Sequence, residues 1–450
     1  MATEPVAAAP AELARPSERS RRTLALAALG VLVLVHLALA ILFAADGSRV
    51  VLATAGGSPD WLLGPFRGLG ASFAHSRAGG PLFYLGLWLA TAAYIAVLLT
   101  ARSIGARLAI GTIAGLHLLF LLAPPLLSQD VFSYLAYARL EVLHHLNPYT
   151  HSPDAVPGDA VYGFAGSKDM TSAYGPLFTL ATLPLAKLGV PGAFWILKVV
   201  TAAACGGIVA LTWACARRLG TDPVFAILVV GLNPLVLVHV VGGAHNDALV
   251  MLLVMGAVLA VLSAQSGKGG VLAAGGAAVK ASGAVAAPFM LIGAHDRRRF
   301  LGGAVAAIVA IAAGALAAFG WKALQAFVLI GQNQERTTRW SIPQRLADGM
   351  GAVTGGDASS IVHFTRAGLA ASLGVAVLYL LRYAWRRRAE PRAWVLAAGW
   401  ATLAVLIATA WLVPWYAIWV LPFAAICRSR ALLTGTVMLC AYMLVIAIPL

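Results

Sequence analysis

A chain of 450 residues that is 60% hydrophobic and 11% charged, with mean hydropathy +0.85, does not fold as a soluble domain. Its repeated apolar runs of about 20 residues match the ~30 Å of hydrocarbon that a helix must cross, so the composition describes a polytopic membrane protein. The net charge of +15 does not point to nucleic acid, because the basic residues sit in short clusters between apolar runs: Arg15 to Arg22, Arg217 and Arg218, Arg297 to Arg299, and Arg386 to Arg388. Such clusters mark cytoplasmic ends beside anionic lipid.

Residues 1–22, rich in Ala and Pro, read as a disordered cytoplasmic tail. The run from Thr23 to Phe43 follows the arginines and lacks a small-residue cleavage site, so it is a first spanning helix and not a signal peptide. Asp46 to Gly80 is then an outer loop; Pro81 to Thr100 returns to Arg102 and Arg107, and Leu108 to Leu127 goes out again. The next segment, Ser128 to Ala173, is long, holds Pro148, Pro153 and Pro157, and carries Asp130, Glu141, Asp154, Asp159 and Asp169. A long loop among short connections is usually functional. Within it, Val131 to Leu146 has a helical apolar stripe suited to lying along the interface, with Asp130 at its start.

Tyr174 to Leu188 is short and broken by Pro184, and Ala193 to Ala216 finishes inside at Arg217-Arg218. Pro223 to Val241 crosses outward through Asn233-Pro234, and Asp247 to Ser263 returns, which places Gly243 to Asp247 at the outer lip. Between Lys268 and Arg297 a Gly/Ala-rich run containing Lys280 reads as a broken helix, since both its ends are basic. Phe300 to Phe319 leads to a second outer loop at 320–360; Ile361 to Trp385, Trp394 to Trp411, Pro414 to Ile426 and Ala431 to Leu450 complete about 11 to 13 membrane segments. No soluble domain and no inverted repeat is visible.

Asp130 is the candidate for chemistry. A carboxylate at a membrane lip takes a proton from an acceptor hydroxyl, although an Asp at a helix start also serves as an N-cap stabilising by roughly 1 kcal/mol. Tyr134, Arg139, Asn147, Tyr149 and Tyr174 are candidate substrate contacts on the same stretch, with interface and turn roles as the plain alternative. His245, Asn246 and Asp247 are adjacent and cannot all face one point on a regular helix, which argues against a metal site and for a cap with one or two residues turned to substrate. The acids are too scattered for a divalent site, and the four cysteines, in or at the ends of apolar runs, show no ligand spacing. No cofactor is expected. Lys280 is costly at membrane depth, about 2.5 to 3.5 kcal/mol on insertion scales, and its small neighbours leave room for a phosphate. Arg336 and Arg339 beside Trp340 form a possible second cationic clamp, and Trp415 and Tyr416 a stacking surface for a sugar.

In this order SQDVFSYLAYAR with NPY, AYGPLF, NPL followed by GAHND, the Lys280 segment and WLVPWYAIW resemble the actinobacterial polyprenyl-phosphomannose-dependent α-1,6-mannosyltransferases, from about Leu108 to Trp419. These are multispanning GT-C-type glycosyltransferases of the cell envelope. The resemblance implies an all-α GT-C-like bundle with extracytoplasmic interfacial helices and loops (about 128–192 and 320–360), in which 23–107 is an N-terminal addition and 108–450 the catalytic core. It also implies a polyprenyl-phosphate-mannose donor, a lipid-anchored mannan acceptor as in lipomannan or lipoarabinomannan assembly, and a plasma-membrane protein with an extracytoplasmic site. Asp130 becomes the general base on the acceptor 6-hydroxyl in an inverting displacement. Lys280, then Arg336 and Arg339, meet the donor phosphate, and His245 and Asn246 line the site. The chain stops at Leu450 inside an apolar run, which leaves acceptor recognition unassigned. A transferase for another polyprenyl-linked sugar, or a lipid-linked-sugar flippase or transporter, uses similar residues.

Overall fold

The computed structural model describes residues 18–46, 48, 50–51, 57–70, 79–324, 338–355 and 358–446. Its longer elements are α1 (Glu18–Leu42), α2 (Gly79–Leu99), α3 (Ala106–Leu122), α4 (Asp130–His144), α5 (Pro176–Thr182), α6 (Gly189–Arg218) and α7 (Pro223–Gly231). They continue with α8 (Asp247–Leu262), α9 (Ser266–Val279), α10 (Ala287–Gly293), α11 (Arg297–Phe319), α12 (Ile342–Thr354), α13 (Ala358–Arg386), α14 (Pro391–Ala408), α15 (Ala417–Ile426) and α16 (Arg430–Ile446). Among the described residues the sole extended pairing is a bridge between Val51 and Leu126.

Among the described residues six helices are long and apolar enough to cross a membrane, seven if one bent pair is a single span, and five apolar helices of 10–17 residues accompany them. The chain is therefore an all-α polytopic membrane protein. The larger number expected from the sequence counts those shorter helices as membrane segments too. Helix α1 starts at Glu18, so Arg19, Arg21 and Arg22 ride on its first turns instead of ending a tail; residues 1–17 lie outside the described residues.

Burial sorts the helices into an outer and an inner set. Leu301, Val305, Ile308 and Val309 of α11 and Val375, Leu378 and Tyr379 of α13 are exposed apolar side chains, the surface that lipid covers in a membrane protein. By contrast every residue of α15 is buried, as are those of the bent stretch after α7. A helix apolar all round belongs inside the protein. Helix α9 packs against α8 and α11, α6 against α8 and α7, and α15 against α7 and α14.

Three local breaks shape the interior. Pro234 cannot donate to the helix ladder, and Asn233 Oδ1 instead accepts from the Leu235 and Val236 N–H groups and restarts the helix, with a bend of 66° between α7 and the Val236–Gly242 stretch. That stretch is π-helix, and its wide turn closes with the His245 N–H donating to the Val240 carbonyl at 3.1 Å. The third break follows α9: Lys280 is extended (φ −160°, ψ 138°) before a short 3₁₀ turn, Ala281–Ala284, and α10.

Helix α4 differs from the lipid-facing interfacial helix expected from its stripe. Val131 to Ala138 are all buried, because Pro176–Thr182, Leu183–Leu188 and α6 pack on the helix and the segment 147–175 adds to the cover. Phe132 packs on Phe164 with ring centroids 5.1 Å apart, and the Tyr137 hydroxyl donates to the Met170 carbonyl at 3.0 Å.

The closest backbone approach between α9 and α11 is at Gly270, where an added Cβ would stand 1.9 Å from the Phe300 carbonyl oxygen. Gly270→Val must therefore push the two helices apart, at about 1 to 3 kcal/mol by the cost of overpacking. A fall in the apparent melting temperature of the detergent-solubilised protein is the expected result, and an unchanged value would show that the two helices can separate freely.

Candidate functional site

The site grows from two turns that meet. The first is the entry to α4, where Gln129 stands at the cap position and Asp130 is the first helical residue. The Ser128 hydroxyl accepts the Asp130 N–H at 3.2 Å, so the capping duty falls to Ser128 and the Asp130 side chain is free to point elsewhere. Its Oδ2 lies 3.5 Å from His245 Nε2, and the carboxylate stays one-third exposed while His245 is fully buried.

The second turn runs from the π-helix into α8. Ala244 takes a left-handed φ of 53°, which turns the next three side chains in three directions. His245 Nδ1 lies 2.6 Å from the His239 carbonyl. A carbonyl only accepts, so Nδ1 carries the hydrogen; Nε2 then accepts from the Ser128 hydroxyl at 3.0 Å in the neutral ring. The imidazole also stacks on Trp415 at 3.9 Å. Asn246 faces Tyr134: its backbone N–H donates to the Tyr134 hydroxyl at 3.3 Å, and its own Nδ2 is buried with no hydrogen-bond partner among the described residues.

Asp247 turns the third way, to Lys280. The ammonium donates to both carboxylate oxygens, at 2.9 and 3.0 Å, and Trp419 Nε1 adds a third bond to Oδ1 at 2.7 Å. Asp247 is fully buried and the Lys280 side chain is 18% exposed. Lys280 Nζ also sits 4.6 Å over the Tyr416 ring, which stacks on Trp419 at 4.0 Å. Trp415 and Tyr416 join the two turns edge to face, and the Asp130 charge acts on Lys280 and Tyr416. Among the described residues no three His, Cys, Asp or Glu side chains come together as a metal site needs.

A family model described as alpha-(1->6)-mannopyranosyltransferase, N-terminal domain, matches residues 52–296. The chain belongs to this family. Among its relatives, alpha-(1->6)-mannopyranosyltransferase A of Mycobacterium tuberculosis is 28% identical over 360 residues, covering 73% of this chain and 67% of the relative. The protein of the same name from Corynebacterium glutamicum is 30% identical over 188 residues, covering 40% of this chain and 37% of the relative. No solved structure is significantly similar to the chain. The span matched to this family of mannosyltransferases holds Asp130, His245, Asn246, Asp247 and Lys280, whereas Trp415, Tyr416 and Trp419 lie beyond it.

The other residues expected at a site are placed around this pair of turns. Tyr174 packs edge-on to Tyr134 at 4.8 Å, and the next residue, Gly175, donates its N–H to the Val279 carbonyl beside Lys280. An added Cβ at Gly175 would stand 2.1 Å from the Ala278 carbonyl oxygen, so the AYGP turn seats the end of α9. Arg139, Asn147 and Tyr149 turn to the protein instead. Arg139 Nε donates to Asp159 at 2.8 Å, Asn147 Nδ2 to the Phe319 carbonyl at 2.7 Å, and the Tyr149 hydroxyl to Thr179 Oγ1 at 3.0 Å. Arg339 stacks on Trp340, which Arg345 also covers, at 5.5 and 4.8 Å. The Trp340 carbonyl accepts from the Tyr442 hydroxyl at 2.6 Å, and Thr338 bonds to Ala410 just upstream of Trp415. Arg336 lies outside the described residues. Sequence reading missed Ser128 and Trp419; the signals were a hydroxyl two residues before Asp130 and the i,i+3 spacing of Tyr416 and Trp419.

Two predictions come from the ion pairs. Lys280→Met would leave the Asp247 carboxylate buried with an indole as its remaining partner, costing about 3 to 5 kcal/mol, whereas Lys280→Met with Asp247→Asn removes the lone charge. Folded yield after solubilisation should drop for the single variant and recover in the double; equal yields would mean that water reaches Asp247. The second concerns the clamp over α4, where His144 Nε2 joins Arg139 on Asp159 at 2.6 Å. Burial pushes the Asp159 carboxyl up, but the bonds from Arg139 and His144 outweigh it and hold the group below its ordinary 3.8. A depressed carboxyl adds stability above its unfolded value and loses it as pH falls through the folded one. Pepsin cleavage within 147–175 should therefore rise from about pH 4 downward, and Asp159→Asn should already be cut at about pH 5. A cleavage rate flat across that range in both proteins would remove the clamp.

Proposed function

We propose that this chain transfers mannose from polyprenyl-phosphate-mannose to the 6-hydroxyl of a lipid-anchored mannan, at the extracytoplasmic face of the plasma membrane. The observation that carries the reading is the opposition of a part-exposed carboxylate, Asp130, to a buried but reachable ammonium, Lys280, across the Trp415–Tyr416 rings. It rests further on the family and on the mannopyranosyltransferase activity for which its relatives are named.

Asp130 accepts the proton of the acceptor hydroxyl as that oxygen attacks the anomeric carbon of mannose; the bond from that carbon to the phosphate oxygen breaks, and the electron pair leaves on the lipid phosphate. One in-line step turns a β-linked donor into an α-linked product. His245, fixed by the His239 carbonyl, holds Ser128 and so the start of α4, which keeps Asp130 at the acceptor. The Lys280 ammonium is bonded to Asp247 and lies over Tyr416, and its part-exposed side is the one that meets a phosphate oxygen. Arg339 and Arg336 supply further positive charge from the second outer loop. Trp415 and Tyr416, both part-exposed, offer rings for the sugar face.

The test is transfer from radiolabelled polyprenyl-phosphate-mannose to a short α-mannoside, comparing wild type, Asp130→Asn and Lys280→Ala at equal amounts of folded protein. Asp130→Asn should lower kcat by about 10² or more, as for loss of a general base. Normal transfer by that variant would remove Asp130 from the chemistry. Activity with another polyprenyl-linked sugar and none with mannose would keep the transferase and withdraw the donor.

A further inference from the structure

The two turns of the site share one anchor that neither the family match nor the reaction assigns. Lys198 stands in the middle of α6, fully buried, and its Nζ donates to three backbone carbonyls: Phe120 at 2.6 Å, Ala123 at 2.8 Å and Gly242 at 2.8 Å. Among the described residues it has no acidic partner within ion-pair distance. Three carbonyls accepting at one nitrogen match the three N–H groups that an ammonium offers. Phe120 and Ala123 lie at the C-terminal end of α3, and Gly242 ends the π-helix. Both are places where carbonyls have run out of helical partners and where the helix dipole favours a cation.

What matters is where these two ends lead. Ala123 runs through Pro124 and Pro125 to Ser128 and Asp130, and Gly242 runs through the Ala244 turn to His245 and Asp247. One ammonium thus ties the stem of the segment that carries the carboxylate to the stem of the segment that carries its histidine. We infer that Lys198 is a positioning residue for the transfer reaction, setting the distance between Asp130 and His245 through the carbonyls of Phe120, Ala123 and Gly242. The inference rests on the reading of Asp130 given above. A lysine inside an apolar helix that pairs with backbone carbonyls is costly and marks a functional element by default; the three bonds of this one go to the ends that feed the site.

The experiment is a cycle. Donor KM and kcat per folded molecule, with folded protein counted by fluorescence-detected gel filtration, would be measured for Lys198→Met, Lys198→Gln and Lys198→Arg, each alone and together with Asp130→Asn. Lys198→Met is expected to lower kcat at least tenfold with donor KM changed less than twofold, and Lys198→Gln, which keeps donors, to lose less. In the Asp130→Asn background Lys198→Met should change the residual rate less than twofold, because a misplaced carboxylate costs nothing once the carboxylate is gone. Losses that multiply in the double variant, or a kcat per folded molecule equal to wild type, would overturn the inference. If none of the three variants yields folded protein, Lys198 is a folding residue and the inference also falls. Full activity of Asp130→Asn alone would withdraw the base and the inference with it, a failure distinct from a normal kcat of the Lys198 variants in an enzyme that still needs Asp130.

Discussion

The interior of this protein depends on one buried ion pair, Asp247 with Lys280. A carboxylate with no exposure is tolerable only if its charge is met and its lone pairs are filled, and here two bonds from Lys280 and one from the Trp419 indole do so. Each partner comes from a different element: the first turn of α8, the break after α9, and α15. The pair therefore fixes how those three approach one another, and the break at Lys280 is explained by it. An α-helix continued through residue 280 would carry the ammonium away from Asp247, so the backbone extends there and gives up ladder hydrogen bonds for a matched charge.

Much of this was legible in the sequence because charge is scarce among apolar residues. Asp130, Lys280 and the His245–Asn246–Asp247 triplet stood out as polar groups that an apolar segment would not hold without cause, and the basic ends of the Gly/Ala-rich run predicted the broken helix that contains Lys280. The reason three adjacent residues can all be used was not legible. It lies in a π-helical turn and a left-handed Ala244, which follow from Pro234 and from packing, not from any residue with a strong preference for either. Lys198 was passed over for the opposite reason: a single lysine inside a long apolar run looks like an interfacial residue until the carbonyls it meets, 75 and 78 residues earlier and 44 later, are brought beside it.

The segment between α3 and α5 teaches a different lesson. Arg139 on α4 and Asn147 and Tyr149 on the loop that follows are polar or aromatic residues in a stretch rich in turn formers, the pattern that marks substrate contacts. Yet each spends its polar atoms on the chain itself: on Asp159, on the Phe319 carbonyl, on Thr179. A loop of this length has many backbone groups to satisfy and little apolar area of its own, so side chains must hold it down. That is why composition could locate the loop, whereas only the fold separates the residues that shape it from the part-exposed Asp130 carboxylate.

The charges left at the site then constrain the chemistry proposed for it. With Asp247 matched by Lys280, the unmatched group is the Asp130 carboxylate, and it repels a phosphodiester donor. A donor phosphate carries one negative charge when bound and gains a second as the sugar leaves, so the cation it meets must be worth more in the transition state than in the ground state. Lys280 suits that demand: its bonds to Asp247 and its place over Tyr416 weaken its hold on the donor, while its positive charge counts for more as charge develops on the leaving oxygen. The same pairing that makes a buried lysine affordable thus keeps it from binding the bound donor too tightly, and leaves its positive charge to act at the step where charge appears.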